Sequence, residues 1–242
     1  MTTGYEPLNT LKTIGPDIWI ADGPHISFYG LPFPTRMTVV RLADGGLWIH
    51  SPIKPDDKLI AQINKIGPVR HLIGPNWIHY ASLHDWKTRY PAALVWVAPG
   101  VEARAAKHNV PLSVDEHLID TAPDAWAGQL DQMIVRGSKI HHEAVFYHAA
   151  SKTLILTDLI ENFERRTLPW WMRILTKLAR IQHPDGQMPI DMRQTFNGHR
   201  DQLRTAVKQM IAWGPEQVIL AHGHWYQRDG LAELKRAFRF LF

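Results

Sequence analysis

The chain has 242 residues, 45% of them hydrophobic and 21% charged, a size and balance that suit a globular protein with a sizeable core and exclude a disordered tail or a fibre. It contains no Cys, which excludes disulfides, thiol catalysis and zinc-thiolate ribbons and leaves 14 His and the carboxylates as the resource for any metal. A net charge of +4 with His neutral, without an RNP, zinc-finger or helix-turn-helix signature, argues against a nucleic-acid partner.

The amino-terminal stretch MTTGYEPLNTLKTIGPD has no basic segment leading into an apolar one, and nowhere do about 18 apolar residues run together, so a soluble, cytoplasmic protein is expected. Strands are predicted at DIWIAD (17–22) and TRMTVVRL (35–42), and the Asp-Gly-Gly of ADGG supplies a tight hairpin into LWIHS. In KPDDKLIAQINKIG the period changes. Leu59, Ile60, Ile63 and Ile66 share a helical face, Asp56 and Asp57 suit the positive amino end, and Gly67 suits the stop. VRHLI is a further strand, followed by GPNWIHYASLHDW, which reads either as the lip of a metal site or as the start of a helix.

Between Tyr80 and Ala122 the pattern predicts a helix, a short buried strand ALVWVAP, and loops. EAVFYHAASKTLILTDLI holds two strand-like runs, the second ending on Asp158. Near the end come an amphipathic helix, a Gly-Pro break, a short strand, the sequence AHGH, and a closing helix with Leu231, Leu234, Phe238 and Leu241 on one face.

Four polar clusters directly follow apolar strands: His50 with Ser51, Asn76 with His79, Asp158, and His222 with His224. Ligands usually bind beyond the carboxyl ends of strands in α/β sheets, because loops there aim side chains at one point from a rigid base. His and carboxylate converging there would suit Zn, Mn or Fe. Each also has a plainer reading. A lone His after a strand is commonly a satisfied polar residue, Asp158 could cap the next segment, and the Gly of AHGH could serve only a turn.

This order of elements, with GLPFPTRMTVVRLADGGLWIHSPI, GPVRHLIGPNWIHY and SKTLILTDLIENF as its distinctive stretches, resembles the metallo-β-lactamase-fold hydrolases, and more closely an uncharacterised, domain-of-unknown-function branch of them. The resemblance spans roughly Leu11 to Trp225. It implies an α/β fold, an αββα sandwich of two mixed β-sheets flanked by helices, with the site along one edge. A single domain over 1–242 is expected, with a basic amphipathic helical insertion near 165–183.

Carried over residue by residue, the resemblance implies an altered site. The usual Asp-Thr-Gly is here His50, Ser51 and Pro52, and Asn76 stands in the approximate place of the first His of the metal motif, leaving His79 as its credible ligand. His142 is the candidate for the middle His, with His141 in reserve; Asp158 matches the bridging Asp and His222 the last His. His79, His142, Asp158 and His222 would hold at most one divalent ion, Zn, Mn or Fe, with Asp158 or His224 handling protons; a site without metal is the alternative.

In TLPWWMRILTKLARI, Thr167 is the expected amino cap, Pro169 falls in the first turn, and Trp171, Ile174, Leu175 and Leu178 line one side opposite Arg173, Lys177 and Arg180. The favoured reading is a helix covering the pocket or a dimer seam; in the resemblance it is a lid whose Trp170 and Trp171 line an apolar substrate pocket. A helix lying on an anionic membrane surface would show the same lack of acids. The leading function is a metal-dependent hydrolase that directs water at an ester, lactone or related bond of a small, fairly apolar substrate. The runner-up is a catalytically inactive, metal-free small-molecule binding protein on the same fold. Homo-oligomerisation is left open.

Overall fold

The structure, a computed structural model, describes residues 5–28 and 30–242. Residues 1–4, with which the expected domain begins, lie outside the described residues. Two mixed sheets form the architecture. The first runs in chain order through β1 (Lys12–Gly15), β2 (Ile18–Phe28), β3 (Leu31–Arg41), β4 (Leu47–His50), β5 (Val69–Gly74), β6 (Leu94–Val97) and β7 (Glu116–His117). Its first four strands are antiparallel, joined by short turns, and β4 to β7 are parallel. Parallel neighbours need crossovers, and helices α1 (Asp57–Ile66), α2 (Leu83–Arg89) and α3 (Val101–Lys107) provide them.

The second sheet has the order β11-β10-β9-β8, from β8 (Leu130–Val135), β9 (Glu143–His148), β10 (Thr153–Ile155) and β11 (Gln217–Ile219). Strands β8 to β10 are antiparallel, whereas β11 joins β10 in parallel after a long crossover carrying α4 (Trp170–Leu178), α5 (Ile190–Thr195) and α6 (Arg200–Trp213). Helix α7 (Gly230–Ala237) follows β11.

Strand alternation divides the apolar residues between two cores. Phe146, Ile155 and Ile219 join Trp48, Trp96 and Trp126 in the main core, while Val145, Leu154 and Val218 turn to the other face, where Leu203, Val207 and Met210 of α6 and Leu234 of α7 cover them. With both faces covered, β9 is buried throughout, Glu143 included. This is the expected αββα sandwich.

The α1 prediction holds at its ends: Asp56 accepts the Leu59 amide at 2.7 Å, and Gly67 ends the helix. The first hairpin is longer than the predicted strands. Pro24, Pro32 and Pro34 interrupt the strand pattern of GPHISF and LPFPT, yet this stretch pairs, with a register shift between Gly23 and Ile26. Among the described residues no helix is long and apolar enough to cross a membrane.

Candidate metal centre

The parallel pairs β4/β5 and β10/β11 bring four strand ends to one edge of the sandwich: Ser51 after β4, Asn76 and His79 after β5, Asp158 after β10, and His222 after β11. Two features fix the His222 turn. Arg36 on β3, fully buried and paired with Asp22 of β2 at 2.8 Å, donates Nη1 to the carbonyls of Leu220 (2.6 Å) and Gly223 (3.0 Å). Gly223 itself has φ +89°, and a Cβ there would lie 2.2 Å from the Asn162 carbonyl oxygen, so no other residue fits between His222 and His224.

His79 Nε2 and His222 Nε2 both face Asp158 Oδ1, at 3.2 Å and 3.1 Å. Asn76 holds this arrangement: its Nδ2 donates to Asp158 Oδ2 (2.5 Å) and Thr157 Oγ1 (2.8 Å), while its Oδ1 accepts the amides of Ile78 and His79. His79 Nδ1 lies 2.6 Å from Ser51 Oγ, and Ser51 takes a φ of +51°, a conformation that a residue other than Gly seldom adopts.

The protons of this cluster can be assigned. Pro34 presents only a carbonyl oxygen, so His222 Nδ1 donates to it at 2.7 Å, and the neutral ring keeps its lone pair on Nε2. That lone pair points at a carboxylate oxygen 3.1 Å away. Two acceptors in that position require a positive charge between them, either a proton on Nε2 or a metal ion. Burial alone would lower the His222 pKa, but the Asp158 hydrogen bond and charge, with Glu161 and the Pro34 carbonyl, hold it above the ordinary value. Burial likewise opposes ionisation of Asp158, yet the neighbouring His79 charge and the hydrogen bonds from His222 and His79 hold its carboxyl well below the usual range.

The same donors fit a metal. The three ligand atoms lie within 4.8 Å of one another, and tetrahedral bonds of about 2.0–2.2 Å to one ion would set neighbouring ligand atoms about 3.3–3.6 Å apart, a few tenths of an ångström beyond the N–O distances of 3.2 Å and 3.1 Å. Each imidazole has its Nδ1 engaged by Ser51 or Pro34, the kind of outer contact that orients metal-ligating His.

A second group around Asp158, made by His141 and Glu143, is taken up by hydrogen bonds. Trp77 Nε1–H donates to His141 Nδ1 at 2.9 Å, which leaves the ring proton on Nε2, 3.2 Å from Glu143 Oε2. Glu143 also accepts the amides of Thr157 (2.7 Å) and Asp158 (2.9 Å), so it clamps the backbone that presents Asp158. His142 stands in neither group; it is half-buried, and burial, with His141 and Arg136 nearby, lowers its pKa. His141, the reserve candidate, is thus the imidazole beside Asp158, as part of that clamp.

His79, Asp158, His222 and Ser51 form part of the wall of a cavity of about 940 Å³, lined mainly by apolar side chains such as Phe33, Ile53, Met172 and Ile181. Glu161 faces it too, and burial, with Asp158 and Asp191 adding to it against His222, pushes its pKa up to about 8. His224 lies away from the cavity lining, its ring against His183 (4.7 Å) and Tyr5 (6.5 Å). His50 belongs to the core: it stacks on Trp48 at 5.5 Å, and burial, reinforced by His79, drives its pKa down to about 3. The expected lid is α4, but its wall residues are Met172, Leu175, Thr176 and Leu178, whereas Trp170 faces solvent. Neither Trp170 nor Trp171 lines the cavity.

A family model described as a domain of unknown function, DUF4336, matches residues 16–183. The chain belongs to the DUF4336 family. Its fold is that of the metallo-β-lactamases. A metallo-β-lactamase from Pontibacter korlensis aligns with TM-score 0.65 at 16% identity, over 96% of this chain and 98% of that one. A metallo-β-lactamase from Hirschia baltica gives 0.66 at 12%, over 96% and 97%. The metal-soaked flavodiiron core Flv1 from Synechocystis sp. PCC6803 gives 0.62 at 14%, over 99% of this chain and 61% of that one. At such identities the likeness shows the fold alone. No curated protein matches the chain in sequence.

In this DUF4336 chain, sequence reasoning misread the role of Asn76 and missed two residues that build the site, Glu161 and Arg36. Asn76 reads as a lost ligand but acts as the anchor of both His79 and Asp158; Asn two and three residues before the amides it accepts was a usable turn signal. Glu161 and Arg36 carry no local signature, because their roles depend on contacts across the sandwich.

Proposed function

We propose that this protein is a hydrolase that uses one divalent metal ion, Zn, Mn or Fe, held by His79, Asp158 and His222, to cleave an ester, lactone or related bond in a small apolar substrate. The observation that carries the proposal is the convergence of His79 Nε2 and His222 Nε2 on Asp158 Oδ1, at 3.2 Å and 3.1 Å, with His222 Nδ1 committed to Pro34 so that a metal can replace the proton on Nε2. Two imidazoles and one carboxylate suit these metals and leave positions free for water or substrate. A divalent ion in such a set supplies Lewis acidity and a water of lowered pKa.

The protein's own groups do the rest. The apolar cavity wall takes up the substrate and excludes bulk water, the Pro34 carbonyl keeps His222 protonated on Nδ1, and Ser51 orients the His79 ring. Asn76 keeps Asp158 Oδ2 occupied so that Oδ1 faces the imidazoles. Glu161, its pKa pushed up to about 8, offers a hydrogen-bond donor to a substrate oxygen, and it takes over the proton-handling role expected of His224, which does not line the cavity. The hydrogen-bonded state of His141 and Glu143 supports one ion over two.

The test is a panel of apolar esters and lactones offered to metal-loaded protein, to chelator-treated protein and to His222→Ala. Turnover confined to the first supports the proposal. Hydrolysis that survives both treatments, or no turnover by protein carrying stoichiometric metal, would contradict it. Selective ligand binding by chelator-treated protein would instead favour a metal-free binding protein, for which the apolar cavity is the supporting observation.

A further inference from the structure

The outer face of α4 carries features that the proposed chemistry does not use. Trp170, Ile174 and Leu178 are 74%, 54% and 70% exposed, although each is large and apolar. Leu178 and Leu175 also line the cavity, as does Ile26 of the first hairpin, itself 49% exposed, so the cavity mouth has an apolar rim continuous with this helix face. Singly exposed apolar residues are ordinary; a contiguous set around an opening is not. The surroundings are basic. Every Asp, Glu, Lys or Arg between residues 165 and 184 is positive: Arg165, Arg166, Arg173, Lys177 and Arg180. The flanking acids Glu164 and Asp185 are paired with Arg166 at 3.0 Å and Arg236 at 3.4 Å, and the acids of the cavity lining are Asp158, Glu161 and Asp191, none of them on this helix.

We propose that this face docks on an anionic lipid surface, with Trp170, Ile174 and Leu178 entering the headgroup boundary, the basic residues meeting the anionic headgroups, and the cavity mouth facing the bilayer. A helix that presents exposed aromatic and aliphatic residues flanked by Lys and Arg, with Met172 and Thr176 turned to the core, is built for that interface. A second copy of the chain is the poorer occupant, because a two-fold contact would set the five basic residues of one copy against those of the other. The inference is independent of the metal centre.

Co-sedimentation of the full chain with vesicles tests it, using phosphatidylcholine alone and phosphatidylcholine mixed with phosphatidylserine. Binding to the mixed vesicles only is expected, weakened about tenfold or more by high salt. The paired substitutions Trp170→Ser with Leu178→Ser, and Lys177→Gln with Arg180→Gln, should each weaken it about tenfold while leaving the melting temperature near that of wild type. The proposal is overturned by no binding to the mixed vesicles, by binding indifferent to lipid charge, or by binding that both paired variants retain. A dimer in sedimentation velocity that dissociates on Trp170→Ser with Leu178→Ser would assign the face to a second copy and overturn it equally.

Discussion

Glu161 sits in the cavity wall, where burial raises its pKa from 4.5 to about 8. Its effect on stability follows from linkage. The unfolded chain gives up this proton near the ordinary value and the folded chain near 8, so the folded state loses stability as pH rises through that window. His222 acts in the same direction in metal-free protein: its raised pKa contributes stability that is full below the ordinary His value and lost as pH rises through the folded one. Asp158 acts oppositely, its contribution being present above 3.8 and lost on acidification through its lowered pKa. Chelator-treated protein is therefore expected to melt at lower temperature at about pH 9 than at about pH 5, and Glu161→Gln to flatten that dependence by raising the alkaline melting point. An unchanged pH profile in Glu161→Gln would show that Glu161 does not titrate in this window. At this scale the sequence was partly legible. His79, Asp158 and His222 follow apolar strands closely enough to be singled out, but the choice between His141 and His142 rests on which way β9 starts, and a one-residue offset there flips the side chain.

Arg36 ties two elements together, binding Asp22 on β2 and the carbonyls on either side of His222 after β11. Replacing it with Met leaves two carbonyls unpaired and leaves the buried Asp22 with Lys12 as its remaining ion-pair partner. Breaking such a pair costs about 3–5 kcal/mol, to be read in urea unfolding as a lowered midpoint. A double change of Arg36→Met with Asp22→Leu should recover part of it, because no buried charge then stands uncompensated. Equal loss in the single and double variants would mean that the carbonyl contacts dominate. Among the elements, α1, β9 and β10 were readable from period and caps. Helix α4 was placed but not oriented. Thr167 donates to the Glu164 carbonyl instead of capping, the helix starts after Pro169, and Met172 and Thr176 are its buried residues. Its apolar residues cover more than one face, so the pattern shows an amphipathic helix without saying which side meets the core.

Across the whole molecule, the site exists because two sheets present the ends of two parallel strand pairs at a shared edge. The alternating and helical periods pointed to an α/β chain, and the order of motifs to the sandwich. The distance from Asn76 to Asp158, bridged by one hydrogen bond across 82 positions, is set by the packing of the sheets and leaves no trace in local spacing. The same packing brings two imidazole nitrogens and a carboxylate oxygen together while engaging His141 and Glu143 elsewhere. The most direct measurement is therefore the divalent metal content of the purified chain, dialysed without chelator, for wild type, His79→Ala, His222→Ala and His142→Ala. The account predicts about one ion per chain in wild type and in His142→Ala, and little in the other two, since losing one of three protein ligands removes most of the affinity. Wild-type protein without metal after loading, or equal metal in all four proteins, would contradict it.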